Sequence, residues 1–198
     1  MPVRFLLCLT LLSLVGCGTA GEATPISSTP ADASAPTPET AAQPAAQEVT
    51  LQILDYDGIQ KLIQSKQGKV VVLDAWSTSC EPCVREFPKL VALSKKYPDQ
   101  IACVSVSFDY EGLDSPEEVS EPVLNFLKQQ GAAFDNVMSN EEADTLYQKF
   151  DLVAVPAVFI YDSEGNLVKR FDNSTGEEFT YEQIEQYLQA EKLVPPKS

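Results

Sequence analysis

Two cysteines separated by two residues, Cys80-Glu81-Pro82-Cys83, form the arrangement in this chain best suited to chemistry. They follow directly on an apolar run, Lys69-Val70-Val71-Val72-Leu73-Asp74-Ala75-Trp76, which reads as a buried strand. Pro82 lacks a backbone N–H and has a fixed φ, so it suits the first turn of a helix. Val84, Phe87, Leu90, Val91 and Leu93 then recur at helical spacing as far as Tyr97. Cys80 is therefore placed at a helix N-terminus, where unpaired N–H groups and the positive end of the helix dipole stabilise a thiolate, the form that attacks a disulfide.

Other uses of a Cys-x-x-Cys pair fit less well. Half of a zinc site needs further Cys or His ligands, and the chain has no histidine. Covalent haem attachment needs a histidine after the second cysteine, and Val84 stands there. A structural disulfide stays open on spacing alone. The strand, the tryptophan and the helix around the pair favour redox chemistry.

A second segment points the same way. Val153-Ala154-Val155-Pro156 leads into the apolar strand Ala157 to Tyr161, the turn Asp162-Ser163-Glu164-Gly165-Asn166, and another strand from Leu167 to Phe171. Taken by itself, Pro156 is a proline tolerated at a strand start.

Taken together, Cys80-x-x-Cys83 and Pro156 make the chain resemble the thioredoxin superfamily. The resemblance implies that Pro156 is cis and faces the dithiol, and that Val155 presents its backbone to a substrate strand. Within the superfamily the chain is similar to the membrane-anchored, extracytoplasmic thiol-disulfide oxidoreductases of the TlpA/ResA type, on Cys80-Glu81-Pro82-Cys83 and Glu86-Phe87-Pro88. Asp74 matches the buried acid of thioredoxins. The likeness covers about residues 49 to 194. It departs at Ser79, where many relatives carry a second tryptophan, which leaves the surface around Cys80 less apolar and bears on partner choice.

The chemistry expected of these residues follows. Cys80 attacks a partner disulfide and Cys83 resolves the mixed disulfide. Asp74, at the end of a buried strand, has its pKa raised by burial and accepts the Cys83 proton directly or through water. Glu86 lies three residues after Cys83, on the same helix face, and with Glu81 disfavours the thiolate. Strongly oxidising pairs owe their potential to a stabilised thiolate, so this pair is expected to reduce its partners. Trp76 is expected to pack beside the dithiol as part of the substrate-binding surface, with a plain core role as the alternative. No cofactor is expected beyond the redox-active pair. Cys103, inside Ile101-Ala102-Cys103-Val104, reads as a buried small hydrophobe.

The N-terminal residues suggest a compartment. Arg4, the short apolar run Phe5 to Val15, and Leu14-Val15-Gly16-Cys17 resemble a bacterial lipoprotein signal with its lipobox. By that resemblance, residues 1–16 are removed and Cys17 is acylated, fixing the protein to the cell envelope outside the cytoplasm. From Gly18 to Glu48 the chain is rich in Ala, Pro, Thr and Ser and has no aromatic residue. Such a segment buries too little apolar surface to fold, and as a flexible coil it reaches roughly 30 Å. Residues 17–48 are thus a tether, and residues 49–198 are one domain.

The coarse order of that domain is strand Val49–Leu54, helix Tyr56–Ser65, strand Val70–Ala75, helix Pro82–Tyr97, strand Ile101–Phe108 and helix Glu117–Gln130. A strand near Phe134–Met138, helix Glu141–Phe150, the Pro156 hairpin and helix Tyr181–Leu193 complete it. Alternating strands and helices imply an α/β thioredoxin-like fold, with a mixed, mainly parallel sheet, helices on both faces and a small α/β insertion between Asp109 and Met138.

The formal net charge is −15, which argues against nucleic acid as a partner. The expected partners are disulfide-bearing extracytoplasmic proteins. The resemblance further implies apocytochrome c as substrate and a membrane thiol carrier as electron donor. Two alternatives remain open: a thiol peroxidase on the same fold, and a non-catalytic lipoprotein in which the pair is a structural staple. The peroxidase pattern calls for Pro and Thr where Leu73 and Ser77 stand.

Overall fold

The computed structural model describes residues 48–195, apart from 175 and 177. The expected signal 1–16, the lipidation site Cys17 and the tether up to residue 47 lie outside the described residues. Eleven elements follow in order: β1 Gln52–Leu54, α1 Tyr56–Gln64, β2 Val70–Trp76, α2 Glu81–Lys96, β3 Ile101–Ser107, α3 Pro116–Gln130, β4 Asp135–Ser139, α4 Ala143–Lys149, β5 Ala157–Tyr161, β6 Leu167–Asp172 and α5 Tyr181–Ala190. The strands form one six-stranded sheet in the order β1-β4-β3-β2-β5-β6. The first four in that order pair in parallel, whereas β5 runs antiparallel to β2, and β6 to β5. Both α3 and β4 come from the stretch expected to carry an insertion.

Every residue of β2 is buried, because the strand is central and the sheet is covered on both faces. Successive side chains point to opposite faces. Val70, Val72 and Trp76 accordingly join one apolar layer with Phe87 and Leu90 of α2 and Leu188 of α5. Val71, Leu73 and Ala75 join the other, with Ile59 and Ile63 of α1 and Leu146 of α4. Asp74 shares the parity of Val72 and Trp76, so its carboxyl points into the layer containing α2 and α5.

Some boundaries differ from the periodicity. Regular pairing at the N-terminal edge is confined to Gln52–Leu54, since β1 meets only three residues of the short strand β4. Val49 and Leu51 nevertheless pack against the core, which accounts for their apolar character. The last helix ends at Ala190 instead of Leu193. Lys192 takes the left-handed conformation, φ 58°, and the Leu193 N–H donates back to the Leu188 carbonyl at 2.9 Å, a Schellman closure built without glycine. At its other end, Thr180 and Gln183 form a capping box that fixes where α5 starts.

Candidate active site

Cys80 is the N-cap residue of α2, and its Sγ accepts from the Cys83 backbone N–H at 3.3 Å. The two sulfurs are joined in a disulfide. Cys80 is half-buried, whereas Cys83, inside the first turn, retains 2% of its surface. The pair is therefore unequal: a partner meets Cys80 first.

The loop between β2 and α2 is held by an acid that sequence reasoning passed over. Asp109 follows β3, whose C-terminal residue Ser107 is in register with Trp76. Its Oδ1 accepts from the Thr78 backbone N–H at 2.9 Å and from the Thr78 hydroxyl at 2.5 Å. Its Oδ2 accepts from the buried Ser107 hydroxyl at 2.5 Å. The Ser77 hydroxyl shares a hydrogen bond with that of Ser79 at 2.8 Å and accepts from the Ser79 N–H at 3.1 Å. The residues preceding Cys80 are thus fastened to the end of the neighbouring strand. The parallel β2/β3 pairing was the signal available for Asp109, since it brings both strand ends to one rim.

Asp74 is 4% exposed, and burial raises its pKa to about 7. The opposing influence is the Tyr181 hydroxyl, which donates to Asp74 Oδ2 at 2.8 Å across the layer. Asp74, Cys83, Glu86, Pro156 and Tyr181 line one narrow crevice, with room for about one water molecule. Pro82, Arg85, Asn173, Glu178 and Phe179 complete its wall. Cys103 lies buried on β3, its thiol pushed far up by burial and by the charge of Asp74.

Glu86 sits at the outer side of this crevice. Lys89 Nζ approaches its carboxylate at 2.9 Å and Arg85 Nε at 3.6 Å. Its negative charge is therefore partly countered by cations absent from the Cys-x-x-Cys pair itself. The same cations reach α5 and the loop before it: Arg85 pairs with Glu178 at 3.2 Å and Lys89 with Glu182 at 3.3 Å, while Lys96 pairs with Glu185.

Val155 and Pro156 are both half-buried, and the peptide bond between them is cis. Trp76 requires a correction. Its side chain is fully buried between Phe87 and Phe126, with ring centroids at 4.8 and 4.9 Å, and offers no surface to a substrate. The strand pleat turns it inward with Val72, so its role is to pack the base of α2. Among the described residues there is no group of three or more Cys, Asp or Glu side chains that could hold a metal ion.

The sequence model of the thioredoxin-like family matches residues 68–167, which span the dithiol, Asp74 and the cis proline. The chain belongs to this family. A relative from Bacillus thuringiensis subsp. konkukian, named thiol-disulfide oxidoreductase ResA, is 27% identical over 143 residues, covering 72% of this chain and 74% of its own length. The protein of the same name from Bacillus subtilis is 29% identical over 116 residues, 58% of this chain and 59% of that one. Among solved structures, a thiol-disulfide isomerase from Corynebacterium glutamicum superimposes with a TM-score of 0.51 at 16% identity, over 67% of this chain and 84% of its own, a likeness of fold.

Proposed function

We infer that the protein is a thiol-disulfide oxidoreductase that reduces disulfides of partner proteins outside the cytoplasm. The observation that carries this reading is the unequal exposure of Cys80 and Cys83 at the start of α2, beside a buried carboxyl whose pKa is raised to about 7. The relatives named thiol-disulfide oxidoreductase support the reaction class.

In the reduced protein, the Cys80 thiolate attacks one sulfur of a partner disulfide. A Cys80–partner bond forms, and the partner's other sulfur leaves as a thiolate that takes up a proton. Cys83 then loses its proton to Asp74 and attacks Cys80 Sγ. The Cys80–Cys83 bond forms, the Cys80–partner bond breaks, and the second partner sulfur leaves. Two electrons have passed from the protein dithiol to the partner disulfide. Return to the dithiol requires a reductant, which we assign to a membrane thiol carrier.

The direction is argued from charge. Glu81 lies between the cysteines and Glu86 one turn beyond them, so the thiolate whose stabilisation makes a dithiol oxidising is disfavoured here. Cations paired to Glu86 moderate this without adding a positive charge between the cysteines. Val155, before the cis proline, is the element offered to the partner backbone. A disulfide in apocytochrome c is the substrate favoured by the resemblance, and anchoring through acylated Cys17 supplies the location in the cell envelope.

Trapping tests the reading. Cys83→Ser keeps the first attack and loses resolution, so incubation with a disulfide-bearing protein accumulates a covalent adduct on a non-reducing gel that reductant clears. Cys80→Ser forms none. Slow and equal alkylation of both thiols in the reduced wild type, with no adduct from Cys83→Ser, would make the pair a structural staple.

A further inference from the structure

We propose that Tyr181 is a positioning residue for the resolving step, its hydroxyl holding the Asp74 carboxylate in the crevice that Asp74 shares with Cys83. The inference rests on the oxidoreductase reading and extends it to a residue outside the active-site motif. Tyr181 is buried, at the first position of α5, 107 residues from Asp74 in the chain, and its Oη lies 2.8 Å from Asp74 Oδ2. Three features hold it there. The Thr180/Gln183 capping box sets the start of α5; Ile184 and Leu188 seat the helix in the same apolar layer as Val72 and Phe87. Ion pairs from Arg85 to Glu178 and from Lys89 to Glu182 tie this end to α2.

The hydroxyl acts on one protonation state of Asp74. A carboxylate accepts a hydrogen bond from Tyr181, so the ionised form is favoured, while burial favours the protonated form. Tyr181 itself is pushed well above its ordinary pKa by burial and by Asp74, so it remains a donor across the working pH range. The other titratable or charged groups around the crevice are Cys83, Arg85 and Glu86 of α2, Cys103 of β3 and Glu178 before α5. Among them Tyr181 alone donates a direct side-chain hydrogen bond to Asp74 in the described residues. Without the hydroxyl, burial acts alone. Asp74 then keeps its proton to higher pH, and fewer molecules hold the base that Cys83 needs.

The test uses the reduced full-length protein mixed with a chromogenic aryl disulfide in a single turnover. Attack by Cys80 releases one coloured thiolate and resolution by Cys83 releases the second, so the two steps are read separately. In Tyr181→Phe the midpoint of the resolving rate against pH moves upward by about one unit. Below the midpoint the rate falls about tenfold, and the two proteins converge at high pH. The double variant with Asp74→Asn behaves as Asp74→Asn alone.

A measurement on the wild type covers the case in which Tyr181→Phe fails to fold. The near-ultraviolet tyrosine difference spectrum titrates with the midpoint of the resolving rate, and Asp74→Asn lacks that titration. A second thiolate released with the same pH profile by wild type and Tyr181→Phe, or a tyrosine spectrum flat through that midpoint, overturns the role of Tyr181 alone. If the wild type releases no second thiolate, the oxidoreductase reading fails and this inference with it.

Discussion

Asp74 carries an ionisable group where the surroundings are hostile to charge. Its folded pKa, about 7, lies above the ordinary 3.8, so the folded state holds a proton that the unfolded state has already released. Stability is therefore lost as pH rises from the unfolded to the folded value and stays reduced above it. The gap corresponds to on the order of 4 kcal/mol, an upper bound once water penetration is allowed for. Asp74→Asn should thus raise the stability of the domain at pH 8 while leaving it nearly unchanged at pH 3.5, as read by urea unfolding at the two values. Equal gains at both would show that burial is not acting on the charge. In the proposed mechanism the same substitution should also slow resolution, so that Asp74 would be a site where stability is given up for chemistry. The acid was legible from its place at the end of an apolar strand. Tyr181 was not, because a tyrosine after a capping residue says nothing of which strand its helix will cover.

The ion pairs of Glu86 lead us to expect a weaker influence on the thiols than its spacing alone implies. The helix places it on the crevice, yet Lys89 and Arg85 pair with its carboxylate. Glu86→Gln should lower the Cys80 alkylation midpoint by only a few tenths of a pH unit, within the range of partly exposed charge pairs. A drop of a full unit would mean that the carboxylate acts on the sulfur unscreened.

At the scale of elements, the site is a rim where β2, β3 and the approach to β5 end beside the start of α2. The strand-to-helix seam could be read from sequence, because valines in sequence followed by helical spacing after Pro82 admit few alternatives. The inward turn of Trp76 could not, since adjacency to the dithiol does not say which face of the strand it occupies. Asp109 illustrates what the rim requires. Its carboxylate is the shared acceptor for the Thr78 N–H and hydroxyl and for the Ser107 hydroxyl, the last fully buried. Asp109→Ala leaves that hydroxyl without its acceptor, at a cost of about 1–3 kcal/mol. Thermal unfolding should register a fall of several degrees, and Asp109→Asn a smaller one, because the amide keeps an acceptor oxygen. A change within about 0.5 kcal/mol for Asp109→Ala, the usual range of surface substitutions, would show that the loop holds itself.

At the scale of the whole chain, the acidic catalytic domain follows residues 1–48, and the proposed anchor and tether rest on the composition of those residues alone. Among the described residues no helix is long and apolar enough to cross a membrane, and the anchor we propose is acylated Cys17. The proposed tether, with a reach of roughly 30 Å, would let Cys80 meet partners over a patch of membrane without moving the proposed anchor. The net charge of −15 offers no attraction to anionic lipid, so no electrostatic contact would hold the domain at the surface once the anchor is gone. Cys17→Ser should therefore move the protein from the membrane fraction to the soluble fraction while its disulfide reductase activity, assayed on the purified protein, is retained. Retention on membranes after a salt wash, or failure of labelled fatty acid to enter the wild type, would sink the lipid anchor and leave the dithiol chemistry standing.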